Sequence, residues 1–253
     1  MKLVIKLVFF ISSFSVIMLS TSCRKESDPL KIVYGPAVSI GDGEVRAWVS
    51  EDPSGNPTAV GISISEEALN DLPTINQEYI LTFDPSSATH FYKFVSLDWS
   101  AHGHIPNNVY DISHFDVHFF NIEQSERMMI GSNGSDEISV PPAARYIPSS
   151  YGLLIGGAPT MGAHWFDLLG DEFNGKTFTK TFIWGSNNGQ VVFWEPMVTH
   201  HYLMTKPNSV TALRQPAAFQ QDGWYPQSYT VDYSSSTKEY IISLSDLSFQ
   251  KGQ

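Results

Sequence analysis

At 253 residues, with 42% hydrophobic and 16% charged side chains, the chain is of ordinary globular composition and long enough for one large or two small domains. A formal charge of −11 excludes the basic stripe that binding to nucleic acid phosphates requires. Aromatic residues at 13%, with 18 glycines and 15 prolines, predict many short strands joined by turns rather than long helices.

Met1–Lys6 carries Lys2 and Lys6, and Leu7 to Leu19 is an apolar run too short for a comfortable membrane span. Small residues follow it up to Cys23, the single cysteine. The pattern predicts a bacterial lipoprotein signal over 1–22, lipidation at Cys23, and a polar tether to about Leu30. Ordinary signal cleavage with Cys23 incidental is the alternative. Lipid on Cys23 would hold an acidic body beside a membrane in the cell envelope. No intrachain disulfide and no thiol catalysis are then available.

From residue 31 onward the expectation is all-β: one β-sandwich or jelly-roll-like domain with a few short helices. Glu44–Val49 alternates, Asp52–Pro57 turns and Ala59–Ile64 returns. Ser65–Pro73 predicts a short helix capped by Ser65 and closed by Pro73. Tyr79–Phe83 and Phe91–Leu97 predict strands, and Trp99–Pro106 a loop. Gln124–Ile130 predicts a helical turn, Gly131–Gly162 a surface wrap, and Gly152–Ile155 an edge strand. Thr177–Trp184 and Gln190–Val198 form the clearest hairpin, around Asn188-Gly189. Ser228–Tyr233 and Tyr240–Leu244 form the last hairpin, around Ser234–Ser236.

The chemistry centres on Ser113–Phe120. Read as a strand, it puts His114, Asp116 and His118 on one face, with Phe115, Val117 and Phe119 on the other. A helix would also join His114 to His118 but would scatter the aromatics. Glu195 falls in the apolar row Val191, Phe193, Met197, where a carboxylate needs a cation, a donor or a raised pKa; a salt bridge is the plain alternative. His164 follows Met161-Gly162, a turn that can aim the ring, or it is a surface histidine. His102-Gly103-His104 supplies additional candidate ligands, or is a polar turn.

Together His114, His118, His164 and Glu195 make a three-histidine, one-carboxylate set for a mononuclear Zn, Fe, Mn, Cu or Ni ion. Asp116 and Glu195 are the candidate catalytic carboxylates. Three readings follow: a metal-dependent enzyme on a small molecule, a non-catalytic metal- or ligand-binding module, and a histidine-rich polar core. The ligand inventory is similar to that of cupins, but the cupin spacing is absent. No nucleophile elbow, Walker or dinucleotide fingerprint occurs.

Five strings in order carry a further likeness: "HGHIP" at 102–106, "VYDISHFDVHFF" at 109–120, "MGAHWFD" at 161–167, "TFIWGSNNG" at 181–189 and "FWEPMVT" at 193–199. Over about Leu72 to Leu203 the chain resembles a family of uncharacterised bacterial secreted or periplasmic proteins, first defined around a Thermus hypothetical protein. The resemblance implies a β-rich domain able to form a homo-oligomer, and no reaction. Ser113 stands where the resemblance leads one to expect proline, and Phe120 where it leads one to expect tyrosine.

Overall fold

The computed structural model describes residues 30–131, 138, 140–154 and 156–253. The leader, Cys23 and the tether as far as residue 29 lie outside them. Two seven-stranded antiparallel sheets dominate. The first contains β1 (Lys31–Tyr34), β2 (Val38–Ile40), β3 (Gly43–Glu51), β4 (Pro57–Ser65), β12 (Asn208–Ala212), β14 (Ser228–Ser234) and β15 (Glu239–Ser245). Its order is β1-β3-β4-β15-β14-β12, with β2 also on β3. The second contains β5 (Gln77–Thr82), β6 (Phe94–Ser100), β7 (His114–Phe120), β8 (Tyr151–Leu153), β9 (Ala163–Asp167), β10 (Lys180–Asn187) and β11 (Gln190–Thr199), in the order β5-β6-β7-β11-β10-β9-β8. A small ribbon pairs β13 (Gly223–Tyr225) with β16 (Ser248–Gln250).

Period-two alternation explains how the sheets stack. Val45, Ala47, Val49, Val60, Ile62 and Ile64 of the first sheet meet Val95, Leu97, Phe115, Val117, Phe119 and Trp194 of the second in one buried core. The structure is thus sandwich-like, as composition and turns predict.

The second sheet is buried on its other face as well. Phe94, Tyr110, Phe120, Phe166, Phe178, Ile183, Phe193 and Met197 form a separate apolar cluster there. Tyr110 and Phe178 come from loops folded across the strands. All seven residues of β7 are buried in consequence. The histidine face is therefore an interior, not a wet surface.

Local details depart from expectation in four places. The helix near Ser65 is a 3-10 turn over Glu66–Leu69 that ends at Asn70, ahead of Pro73. Ser65 does not cap it; its hydroxyl instead accepts from the Glu44 N–H at 3.1 Å. β6 runs on through Asp98 to Ser100, where a loop was expected, because its alternation continues into pairing with β7. The edge strand is Tyr151–Leu153, slightly earlier than the pattern predicts. The central hairpin is as expected: Asn188 (φ 46°) and Gly189 (φ 76°) make the two-residue turn between β10 and β11. The described residues also form two short α-helices, α1 (Gln124–Arg127) and α2 (His200–Met204), the latter capped by Thr199, and 3-10 turns at Ala144–Tyr146 and Asp171–Phe173.

Phe119 is fully buried between the sheets. Phe119→Ala should therefore lower unfolding free energy by about 3–5 kcal/mol in a denaturant titration. A loss below about 1 kcal/mol would show that the two sheets do not share this core.

Candidate metal centre

β7 is an interior strand, third of the seven in its sheet, so its outer face is extended by the neighbours on either side. On β6, Ser100, Asp98 and Ser96 stand opposite His114, Asp116 and His118. On β11, Thr199 and Met197 stand opposite His114 and Asp116, and Phe193 opposite Phe120. The same register sets Glu195 against His118. Pro196 has no N–H to donate, and the ladder is interrupted at Glu195 and Pro196. Ile183 of β10 follows Glu195, and Gly185 stands between Phe193 and His164 of β9. A Cβ on Gly185 would meet the Phe193 ring at 1.9 Å, so only glycine lets that ring lie across the sheet.

The candidate ligands do not form one group. They form two, each of two histidines and a carboxylate: His104, His114 and Asp116; and His118, His164 and Glu195. The single set of His114, His118, His164 and Glu195 is thus divided, with His114 in the other group. In the first group, His114 Nε2 lies 3.0 Å from His104 Nε2 and 3.0 Å from Asp116 Oδ1, while His104 Nε2 is 3.4 Å from Asp116 Oδ2. The Nδ1 atoms are committed elsewhere. His114 Nδ1 is 2.6 Å from the Ile112 carbonyl and His104 Nδ1 is 2.7 Å from that of Ile105. A carbonyl only accepts, so both Nδ1 atoms carry protons, a tautomer assigned from these bonds. Two Nε2 atoms and a carboxylate then converge, and a positive charge must hold them together.

The second group has the same design. His118 Nε2 is 3.4 Å from Glu195 Oε1, and His164 Nε2 is 3.6 Å from Glu195 Oε2. His164 Nδ1 donates to the Gly162 carbonyl at 3.2 Å. His118 Nδ1 is 3.1 Å from Asp98 Oδ2, off the axis of a hydrogen bond. Asp116 Oδ1, both His118 nitrogens and Glu195 Oε2 are buried without a hydrogen-bond partner. Ligands about 2.1 Å from one ion stand about 3.0 Å apart at right angles and about 3.4 Å apart in a tetrahedron. The observed spacings, close but not hydrogen-bonded at several atoms, suit that arrangement, and the residue types suit a transition ion.

Electrostatics agree with the geometry. Burial alone would raise the Asp116 carboxyl, but the adjoining His114 and His104 rings hold it far below the usual range. Burial would lower His104, yet Asp116 lifts it to about 9. Burial likewise opposes charge on His118, and Glu195 with Asp98 raises it to about 9. Burial, reinforced by the charge on His118, pushes His164 down to about 3. Burial pushes Glu195 up to about 8 against the pull of His118. In the bare chain, protons on His104 and His118 supply the positive charge; a cation can take their place.

A cleft of about 510 Å³ opens over these groups, lined by all of them except His114, and by Ile105, Met161, Phe166 and Ile183 among others. Its size is that of a small-molecule site. His102 is exposed in its turn and joins neither group, while His104 swings inward. Asp98 escaped the sequence reading, although the alternation Ser96-Asp98-Ser100 carried the signal. So did Ser100, whose hydroxyl donates to Asp116 Oδ2 at 3.0 Å, and Ser96, whose hydroxyl lies 2.6 Å from Glu78 Oε1 and 3.0 Å from Asp98 Oδ2 with one proton to share between them. Buried Arg127 pairs with Glu78, donates to the Thr160 carbonyl at 2.7 Å and lies over the Phe120 ring. Nothing local in the sequence marks Arg127, which arrives from α1.

Gly103 (φ 70°) permits the inward turn of His104, since a Cβ there would fall 2.0 Å from the Tyr110 carbonyl oxygen. Gly103→Ala should cost roughly 2–4 kcal/mol of stability by urea titration, and Gly55→Ala (φ 79°, open surroundings) only about 1 kcal/mol. Equal losses would mean that backbone conformation alone, and not the Tyr110 contact, fixes this loop.

Among known proteins, no curated protein and no solved structure matches the chain. A family model described as "TTHB210-like: Hypothetical protein TTHB210" matches residues 52–99, from the β3–β4 turn to the last residue but one of β6. That span ends just short of the first of the five strings, His102–Pro106, and includes Asp98 but none of the histidines of the two groups. The chain thus resembles this uncharacterised Thermus-type family over the strands that lead into the site.

Proposed function

We propose that this chain is an envelope lipoprotein in which His118, His164 and Glu195 hold a divalent transition-metal ion, acting as a metal-dependent enzyme on a small molecule. The observation that carries the reading is the convergence of buried His118 and Glu195, both with unpartnered atoms, and half-buried His164 on one face of a 510 Å³ cleft. Three protein ligands leave a coordination position for water or substrate, whereas a purely structural site is closed by four.

The ion would supply a Lewis acid and lower the pKa of a water in that position. The chain's own residues do the rest. The Gly162 carbonyl fixes the tautomer and direction of His164, so that Nε2 faces the cleft. Asp98 stands beside His118 Nδ1 and increases the basicity of that ring. Phe120, Phe193, Ile183 and Phe166 keep bulk water from the ligand row. Asp116 is held ionised by its histidines, whereas the Glu195 carboxyl, pushed up to about 8 by burial in the bare chain, must give up its proton to ligate.

Two measurements test the reading. Metal analysis of the mature chain purified without chelator should find a transition metal, and its binding at the second group should be lost in folded His118→Ala. Because His118 keeps its proton to about pH 9 and Glu195 to about pH 8 in the bare chain, an entering ion must displace protons at pH 7. Affinity should therefore rise with pH, and calorimetry in two buffers should register proton release. No binding of Zn, Mn, Fe, Cu or Ni would sink the proposal.

The anchoring half rests on Lys2, Lys6, the apolar run and Cys23. Replacing Cys23 with Ala should move the protein from the membrane pellet to the soluble fraction or leave it with an uncleaved leader. A mature, membrane-bound Cys23→Ala protein would refute lipidation.

A further inference from the structure

The group His104, His114 and Asp116 is left over by the function proposed above, and it is the better formed of the two. Its closest three contacts run from 3.0 to 3.4 Å, within the span expected of ligands on one ion. Both imidazoles have Nδ1 tied to a main-chain carbonyl, the arrangement that turns Nε2 into a ligand. It shares β7 with the other group: Asp116 and His118 are two residues apart on one face, at roughly 7 Å. His104 and Asp116 line the same cleft as His118, His164 and Glu195.

The cleft has an unusual charge balance. Glu78, Asp98, Asp116 and Glu195 line it, and among the described residues no lysine or arginine does. Glu78 is matched by Arg127 from outside the lining. Without ions, protons on the lining histidines are the positive charge among the described lining residues, and the carboxylates offset them, so nothing in the floor favours an anion. Two divalent ions would bring more positive charge than Asp98, Asp116 and Glu195 offset, leaving a net positive floor. Such a floor calls for a ligand with several negatively charged oxygens, and two-ion sites clamp that kind of group.

We infer that His104, His114 and Asp116 hold a second divalent ion, and that the two ions together bind an oxyanion group of the substrate, such as a phosphate ester. This rests on the reading of His118, His164 and Glu195 as the first ion's site. Apolar walls from Ile105, Met161, Phe166 and Ile183 would face the rest of the molecule. The ions turn a floor with no surplus of positive charge into an anion-binding one, so oxyanion affinity depends on metal loading.

The test loads the metal-stripped mature chain with Mn²⁺ and counts ions after gel filtration, with inorganic phosphate as the probe ligand. Two ions per chain are expected, with a spin-coupled pair in the electron paramagnetic resonance spectrum. His104→Ala and His164→Ala should each keep one ion, uncoupled, with native near-ultraviolet circular dichroism. Phosphate should bind the fully loaded chain, not the stripped one, and at least about 100-fold more weakly in His104→Ala. One ion in the wild type, retained in His104→Ala and lost in His164→Ala, would overturn the second site while leaving the first. Two ions without phosphate binding would overturn the oxyanion assignment. No ion at all would overturn both this inference and the function on which it rests. The wild-type count and spectrum decide the matter even if a variant fails to fold.

Discussion

Charge buried on one face of an interior strand that is covered on both sides is the constraint from which the rest of this structure follows. β7 is covered by the first sheet on one face and by aromatic loops on the other, so His114, Asp116 and His118 have no bulk water to solvate them. A buried carboxylate without compensation is among the costliest features a fold can hold. The protein answers by placing imidazoles at 3.0 to 3.6 Å from the carboxylates and by tying the far side of three rings to main-chain carbonyls. The result is a cluster whose charge is balanced only when something positive, proton or ion, sits within it.

The surrounding architecture serves this constraint. Antiparallel neighbours β6 and β11 present polar side chains to the same row, so Ser100 and Ser96 satisfy carboxylate lone pairs that would otherwise be bare. Arg127 reaches in from α1 to match Glu78, and its guanidinium covers the Phe120 ring. Gly103 and Gly185 are places where any Cβ would collide, one holding the His104 loop against Tyr110, the other giving Phe193 room beside His164. These contacts fix ring directions as much as they stabilise the fold. A polar network of this kind is worth having only if every member is held in place.

The proposed metal ions would satisfy polar atoms that a polar core leaves bare. A core histidine ordinarily pairs both nitrogens, one as donor and one as acceptor. Here His118 leaves both without a hydrogen bond, and Glu195 leaves Oε2 bare, in a low-dielectric interior beside an open cleft. Interior packing explains Phe115, Val117 and Phe119 completely. It gives no reason for four imidazoles and four carboxylates, Glu78 among them, on the opposite face.

Much of this was legible in the sequence, because strand alternation is a local property. Residues 114–120 read directly as a strand with a polar and an apolar face, Asn188-Gly189 as a tight hairpin, and Glu195 as a carboxylate out of place in an apolar row. His164 and His104 were marked by adjacent glycines. What alternation cannot provide is which strands become neighbours. That β6 and β11 flank β7 depends on pairings between residues far apart in the chain, and these decide that Asp98 stands opposite Asp116 and Glu195 opposite His118. Tertiary structure alone therefore divided the histidines into two groups, left His102 outside, and drew in Asp98 and Arg127. A side chain's face follows from its own strand, but its partners follow from the stacking and register of others, which only the folded core can set.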